Sequence, residues 1–159
     1  MWRKLGLWIC LFAMWGCAAP LTVKQLPLSV TETRLFKLVQ LQPKSQATLL
    51  ALQSSPQQWR WVQTDALGAP VARLLLTQQG WRNDGFIIPN RRAQQLFSAI
   101  AVYLHPALPL FEFSEIRRMA DGQHYYMYGE EVWCITSTPK GADIALPDNS
   151  RWRLEEIEQ

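Results

Sequence analysis

Hydrophobic and polar positions alternate with a period of two along most of the chain. The segments RLFKLVQL (34–41), ATLLALQ (47–53), QWRWVQT (58–64) and PVARLLLTQ (70–78) are short, and each is alternating or apolar. Side chains that alternate in this way point to opposite faces of a β-strand. The breaks between the segments, such as QPKSQ and DALGAP, contain the residues that form turns. The first half of the chain therefore predicts one antiparallel sheet.

One segment, RRAQQLFSAIAVYLH, has the period of a helix. Its apolar residues recur every three or four positions, and they are Ala93, Leu96, Phe97, Ile100, Ala101 and Leu104. Pro106 closes this segment. Strand patterns then resume in LFEFSEIRRM, QHYYMYG, EVWCITST, ADIALP and SRWRLEEIE, with Asp121-Gly122 and Asp148-Asn149 as hairpin turns.

This order of about five strands, one helix and about five strands predicts the class of the fold. A lone helix among antiparallel strands is typical of an α+β domain. The simplest arrangement is a strongly curved antiparallel sheet, a half-barrel, with the amphipathic helix on its concave face. The sequence contains no internal repeat that would indicate a second domain.

The first residues have the pattern of a secretory signal. Arg3 and Lys4 form a cationic head, and the run over 5–15 is apolar apart from one glycine. A membrane-spanning helix requires roughly 18 apolar residues or more, and this run is shorter. At its end, Gly16-Cys17 resembles the lipobox of bacterial lipoproteins. That resemblance implies cleavage after residue 16 and lipidation of Cys17.

Two interpretations of this terminus remain open. In the first, 1–16 is a lipoprotein signal peptide, 17–32 is a lipidated tether without a clear period, and 33–159 is one half-barrel domain. Two or three acyl chains would then hold the protein at a membrane. In bacterial lipoproteins, an Asp directly after the lipidated cysteine retains the protein in the inner membrane. Residue 18 is Ala, so the resemblance implies the periplasmic face of the outer membrane. In the second, a plain secretory signal is cut near Ala18-Ala19 and the protein is soluble in the periplasm.

The net charge limits the possible partners, and the cysteine content limits the possible disulfides. Removal of Arg3 and Lys4 with the signal lowers the formal net charge from +3 to +1, so no nucleic-acid partner is expected. Cys10 would leave with the signal and Cys17 would be acylated, so no intramolecular disulfide is possible. Cys134, the remaining thiol, lies in the apolar pattern EVWCITS and is interpreted as a small buried hydrophobe.

Motifs of the common enzyme classes are absent from the sequence. It contains no Gly-x-Ser-x-Gly, no His-Glu-x-x-His and no phosphate-binding glycine loop. The two histidines, His105 and His124, are each flanked by turn residues and are interpreted as structural or solvated. We therefore expect a protein that is not an enzyme and that has neither a cofactor nor a metal ion.

Two parts of the chain resemble a known group of proteins. The strands and turn over 47–81 and the helix over 94–106 resemble an uncharacterised family of proteobacterial lipoproteins. In that family a strand leads into a Leu-x-x-Leu-Gly turn, matched at 64–68, and a helix ends near an aromatic-Pro pair, matched at 103–106. The resemblance spans about 34–157. The same order is more distantly similar to the lipoprotein carrier LolA and receptor LolB, which are half-barrels whose apolar cavity accepts acyl chains.

This resemblance implies an outer-membrane lipoprotein that binds a lipid, an acyl chain or an acylated partner without catalysis. The residues predicted to line its cavity are Trp59, Trp61, Leu96, Phe97, Ile100 and Leu104. In the alternative interpretation both tryptophans simply fill the core. The protein would then be a structural accessory lipoprotein of an envelope complex. An open apolar slot between helix and sheet favours binding, whereas a filled one favours the structural role.

Overall fold

The computed structural model describes residues 21–27, 31–86, 88 and 90–158. Within these residues five strands precede one helix and five strands follow it, which confirms the predicted order and the α+β class. The strands are β1 (Glu32–Gln42), β2 (Gln46–Ser54), β3 (Gln58–Thr64), β4 (Pro70–Thr77), β5 (Gly80–Asn83), β6 (Glu115–Met119), β7 (Gly122–Met127), β8 (Glu130–Thr138), β9 (Gly141–Ala145) and β10 (Arg151–Glu156). The helix, α1, is Arg91–Leu104. Cys17 and the predicted signal peptide lie outside the described residues.

All ten strands form one open antiparallel sheet in the order β5-β4-β3-β2-β1-β10-β9-β8-β7-β6. Every pair of adjacent strands is consecutive in the chain except β1 with β10, and the consecutive strands β5 and β6 lie at opposite edges. The two halves of the chain are therefore five-stranded meanders that join in the middle of the sheet. The edges are β5 and β6, and α1 belongs to the connection that runs from one edge to the other.

Alternation within the longer strands assigns one face of the sheet to the core. In β3, Trp59, Trp61 and Gln63 are buried, whereas the residues between them are only partly covered. Trp61 lies opposite Leu52 of β2 and Leu74 of β4, and both of these are buried as well. Residues directly opposite one another on antiparallel strands share a face. The period of two in the sequence thus corresponds to one continuous apolar surface.

Helix α1 begins and ends with recognisable capping contacts. The Oδ1 atom of Asn90 accepts a hydrogen bond from the backbone N–H of Ala93, as in a typical N-cap. At the other end the backbone N–H of His105 donates to the carbonyl oxygens of Ala101 and Val102. The helix starts one residue before the predicted Arg92 and ends at the predicted Leu104. Its position is therefore set by local signals that the sequence already contains.

Part of the segment predicted as a tether contacts the domain. Val23 forms a bridge with Phe111, and the backbone N–H of Lys24 donates to the carbonyl oxygen of Leu110 at 2.8 Å. Val23 and Leu26 are buried within the core. Residues 21–27 thus lie against the body of the protein. Among the described residues, no helix has the length and apolar character needed to cross a membrane.

Candidate functional site

The residues predicted to line an acyl cavity lie in the core between α1 and the first half of the sheet. Trp59, Trp61, Phe97 and Ile100 have no exposed surface, Leu96 is 1% exposed, and Leu104 is partly buried. The rings of Trp61 and Phe97 are stacked, with 5.3 Å between their centroids. The structure therefore brings the predicted set together as contacting core residues. Cys17, the predicted lipidation site, lies outside the described residues.

A small cavity lies near the N-terminal end of α1. Its volume is about 150 Å³, and of the six predicted residues only Leu96 is among its lining residues. Much of the lining is polar, including Gln40, Thr48 and Gln63. Within it, the Gln63 side-chain amide donates to the Thr48 hydroxyl at 3.0 Å. Pockets for small organic ligands usually measure about 300–1,000 Å³, so this cavity is below the usual size for an acyl-binding site.

A larger cleft lies at the opposite end of α1. We call it the β6–β8 cleft. Its volume is about 440 Å³, and its lining residues are Tyr103, Pro106, Arg118, Met119, Ala120, Asp121, Gly122, Gln123, Tyr125, Ile135, Thr136 and Ser137. None of the six predicted residues lines it. This cleft meets the size expected for a small-molecule pocket.

The floor of the β6–β8 cleft is set by strand register. Arg118 lies opposite Gln123, and Gln123 lies opposite Ile135, so these three side chains share one face of the sheet. Tyr125 and Ile135 are buried, whereas every residue of β6 is exposed. Arg118 has no ion pair among the described residues. The cleft thus combines apolar floor residues with a cation at its outer strand.

Sequence reasoning missed this cleft for a physical reason. The sequence of β6 does not show whether α1 packs against this strand, because that contact depends on the position of the helix in the folded protein. One signal was available, namely that Pro106 stops α1 before the last strands are reached. Apolar residues beyond the end of the helix, such as Tyr125 and Ile135, must then be covered by other side chains or by a ligand.

A second arrangement of polar side chains lies on β7 and β8. The Nε2 atom of His124 is 3.0 Å from Oδ1 of Asp121 and 3.5 Å from Sγ of Cys134. Its Nδ1 atom is 3.1 Å from Oε2 of Glu131, but the ring is not aligned for a hydrogen bond to that oxygen. His124 is buried, with 7% of its surface exposed. We call these four residues the His124 cluster.

The charges of the His124 cluster stabilise one another. The carboxylate of Asp121, followed by that of Glu131, raises the pKa of His124 above its ordinary value. The hydrogen bond from His124 in turn lowers the pKa of Asp121. Burial raises the pKa of the Cys134 thiol, because a thiolate would lose its hydration. The hydrogen bond with Asp121 therefore favours the charged form of His124, and burial favours the neutral form of the Cys134 thiol.

Sequence reasoning treated the members of this cluster separately. The sequence predicts a small buried hydrophobe at Cys134 and a structural or solvated histidine at His124, since no linear motif joins them. In the structure they lie directly opposite one another on neighbouring strands. The other histidine, His105, is elsewhere and packs against Trp59, with 4.8 Å between ring centroids.

No protein-family model matches the chain, and no curated protein matches it either. The β6–β8 cleft and the His124 cluster are therefore the features from which its function is inferred.

Proposed function

We propose that the protein is an outer-membrane lipoprotein, anchored through Cys17, whose half-barrel binds an acyl chain or an acylated partner without catalysing a reaction. The observation that carries this proposal is the β6–β8 cleft, which has the size of a ligand pocket and apolar residues on its floor. This cleft replaces the space beside Trp59 and Trp61 as the expected binding site, because that space is filled by side chains.

Contacts of α1 support a strongly curved sheet. The indole N–H of Trp81 on β5 donates to the Ser98 hydroxyl, and the Tyr103 hydroxyl donates to the carbonyl oxygen of Gly141 on β9, both at 2.9 Å. β5 and β9 are six positions apart in the sheet, which is about 29 Å if the sheet were flat. Ser98 and Tyr103 are only about 8 Å apart along the helix axis. A sheet that bends around the helix explains both contacts.

Burial along α1 supports the same shape. All residues over 96–102 are buried, which is nearly two full turns of helix. A helix on a flat sheet exposes its outer side, whereas a helix that is buried all round is enclosed by its surroundings. We infer that the concave face of the sheet wraps α1, as in a half-barrel, and that the β6–β8 cleft is the part of this face that α1 does not fill.

The chemistry of the cleft favours an acyl chain with an anionic head. Burial of each methylene group contributes roughly 0.8 kcal/mol, so an apolar floor can hold a chain without specific hydrogen bonds. Tyr125 and Ile135 provide this floor. Arg118 lines the same cleft on its exposed outer strand and is free of an ion pair among the described residues. A carboxylate or phosphate head group would pair with its guanidinium.

Displacement of a fluorescent fatty acid by palmitate tests this proposal in the full chain carrying Cys17→Ser. We expect saturable binding that Ser137→Trp abolishes, because Ser137 is exposed and lines the cleft. Arg118→Ala should weaken palmitate binding up to about fivefold, the effect of one exposed ion pair, without weakening binding of the uncharged alcohol. Arg117→Ala is the matched control, because Arg117 pairs with Glu115 and is not among the lining residues.

The filled interior favours a second function, that of a structural accessory lipoprotein in an envelope complex. Trp59, Trp61 and Phe97 leave no open slot beneath the middle of α1. If this function is correct, palmitate, phospholipid and lipopeptide all fail to bind, and cross-linking in cells joins the protein to a single envelope protein. Turnover of a model ester would contradict both functions, since neither includes a catalysed reaction.

A further inference from the structure

We propose that Asp121, His124 and Cys134 bind a zinc ion at the edge of the β6–β8 cleft, where the exposed turn that carries Asp121 meets β7 and β8. His124 and Cys134 alternate along their strands with Tyr125 and Ile135, which face the cleft, so they point to the other side. Asp121 also lines the cleft, so the two proposed sites are adjacent, but the metal site does not depend on the proposed lipid anchor.

The three side chains offer the donor atoms that zinc prefers. They supply one imidazole nitrogen, one carboxylate oxygen and one sulfur, and these atoms all lie within 4.8 Å of one another. Zinc is bound by nitrogen and oxygen at about 2.0–2.1 Å and by sulfur at about 2.3 Å, usually with tetrahedral geometry. Neighbouring ligand atoms in such a site are then about 3.3–3.6 Å apart.

The observed separations are close to those of a tetrahedral site. Nε2 of His124 is 3.0 Å from Oδ1 of Asp121 and 3.5 Å from Sγ of Cys134. Asp121 is an exposed side chain in the β6–β7 turn, so a small rotation would bring its carboxylate closer to the sulfur. A metal ion could reach the site from the same exposed side.

Two regular elements and a tight turn hold these ligands in place. His124 and Cys134 are directly opposed across β7 and β8, so their separation is set by the strand pairing. Gly122 allows the turn that carries Asp121 to approach β8 closely. A Cβ atom at this position would lie only 2.7 Å from the carbonyl oxygen of Ile135.

Glu131 lies beside the nitrogen of His124 that does not face the proposed metal ion, where its carboxylate would orient the ring. Histidines that bind zinc through one nitrogen commonly direct the other towards a carboxylate, which orients the ring. Here Oε2 of Glu131 is 3.1 Å from Nδ1 of His124, the nitrogen that faces away from Asp121 and Cys134. A small rotation of the imidazole would align its N–H with this oxygen. Glu131 is therefore a positioning residue and not a ligand.

The donor set distinguishes zinc from the hard cations. Magnesium and calcium prefer oxygen ligands, whereas a thiolate together with an imidazole favours zinc. On binding, the Cys134 thiol and the protonated form of His124 each release a proton to solvent, and the sulfur and Nε2 then form bonds to the metal. With three protein ligands, the fourth position of a tetrahedral ion would be held by water. The absence of a linear motif does not oppose this site, because strand register assembles it.

Titration of the full chain with Co²⁺, after purification in detergent and treatment with a chelator, tests the proposal. We expect one Co²⁺ per chain, a near-ultraviolet thiolate-to-cobalt charge-transfer band, and loss of that band when Zn²⁺ displaces the cobalt. The band should vanish in Cys134→Ser and persist when Cys10 and Cys17 are both replaced by serine. Absence of saturable binding, or a band that survives Cys134→Ser, would overturn the site.

Two further variants keep the test independent of any folding defect at Cys134. Asp121→Asn lies in an exposed turn and should weaken Co²⁺ binding at least about tenfold with an unchanged circular dichroism spectrum. Glu131→Gln should weaken it by roughly 10–100-fold, whereas the neighbouring exposed Glu130→Gln should have no effect. Equal affinities in Glu131→Gln and Glu130→Gln would contradict the positioning role of Glu131.

Discussion

Single aromatic and aliphatic side chains join α1 to the sheet. The ring of Trp61 on β3 stacks on that of Phe97 in α1. The ring of Trp59, also on β3, contacts the ring of His105 at the end of the helix. Leu96, one residue before Phe97, is 1% exposed. Because protein interiors are closely packed, removal of any one of these side chains leaves a void that its neighbours fill only in part.

Leu96→Ala tests the assignment of the buried helix face. We expect the free energy of unfolding in urea to fall by about 2–5 kcal/mol, the usual cost of a leucine truncation in a core. Gln95→Ala is the control, because Gln95 is only partly buried and alanine favours the helix. Equal unfolding midpoints for the two variants would mean that the helix face is wrongly assigned.

His105 makes the stability of the core depend on pH. Burial of its ring, together with repulsion by Arg34, lowers the pKa of His105 below its ordinary value. In the unfolded chain the same histidine titrates near about 6.5. As the pH falls below that value the unfolded chain binds a proton that the folded chain does not, so this residue contributes a loss of stability on acidification.

His105→Phe isolates this contribution, because phenylalanine keeps a ring against Trp59 but does not titrate. We expect the stability of the original protein relative to the variant to decrease between about pH 7.5 and pH 5.5. Urea unfolding of both proteins across this range measures the difference. A difference that stays constant with pH would contradict the lowered pKa of His105.

Among the elements, the β7–β8 hairpin contains an unusual turn. Tyr128 and Gly129 have φ values of 52° and 83°, so both are in the left-handed region. A two-residue hairpin turn of this kind favours Asn-Gly, because asparagine tolerates positive φ whereas a bulky residue is strained there. Tyr128 is 83% exposed, so its ring contributes little burial to offset this strain.

Replacement of Tyr128 by Asn should therefore stabilise the hairpin. We expect a gain of roughly 0.5–1 kcal/mol, with a rise of the melting temperature of about 1–4 °C. Differential scanning calorimetry measures this change. Leu67→Asn is the matched control, since Leu67 is 95% exposed in another turn but does not have a positive φ. A lower melting temperature for Tyr128→Asn would show that the tyrosine is not strained.

For the whole molecule, the predicted anchor would hold the domain close to the bilayer. Residues 21–27 pack against the body, so only a few residues separate Cys17 from Leu21. Four extended residues span at most about 14 Å. If Cys17 is lipidated, the β-sheet domain is therefore tethered within this short distance of the membrane surface.

Mass spectrometry of the native N-terminus tests the anchor. We expect the mature protein to begin at Cys17 and to carry the added mass of its acyl chains, and we expect Cys17→Ser to move the protein from the membrane fraction to the soluble fraction. Cys10→Ala, in the predicted signal peptide, should leave both results unchanged. An unmodified N-terminus at Ala18 or beyond would indicate the plain secretory signal instead.

The sequence by itself determined the elements of this protein. Alternation in QWRWVQT and the three-and-four spacing around Leu96 are local patterns, and each predicts one element because side-chain direction follows backbone geometry within a few residues. The order of strands and helix, the limits of α1 and the single-helix α+β class followed from these patterns. The shared face of Trp59 and Trp61 in β3 also followed, since residues two apart on a strand point to the same side, and both are buried.

Only the tertiary structure decided which elements that are distant in the chain meet. The pairing of β1 with β10 places Phe36 opposite Glu156, and no local pattern encodes contact between residues so distant in the chain. The same holds for the β6–β8 cleft, which exists because α1 ends before it covers the outer strands. The approach of His124 to Cys134 depends on the register of β7 and β8, since a shift of one residue would turn one of them to the other face.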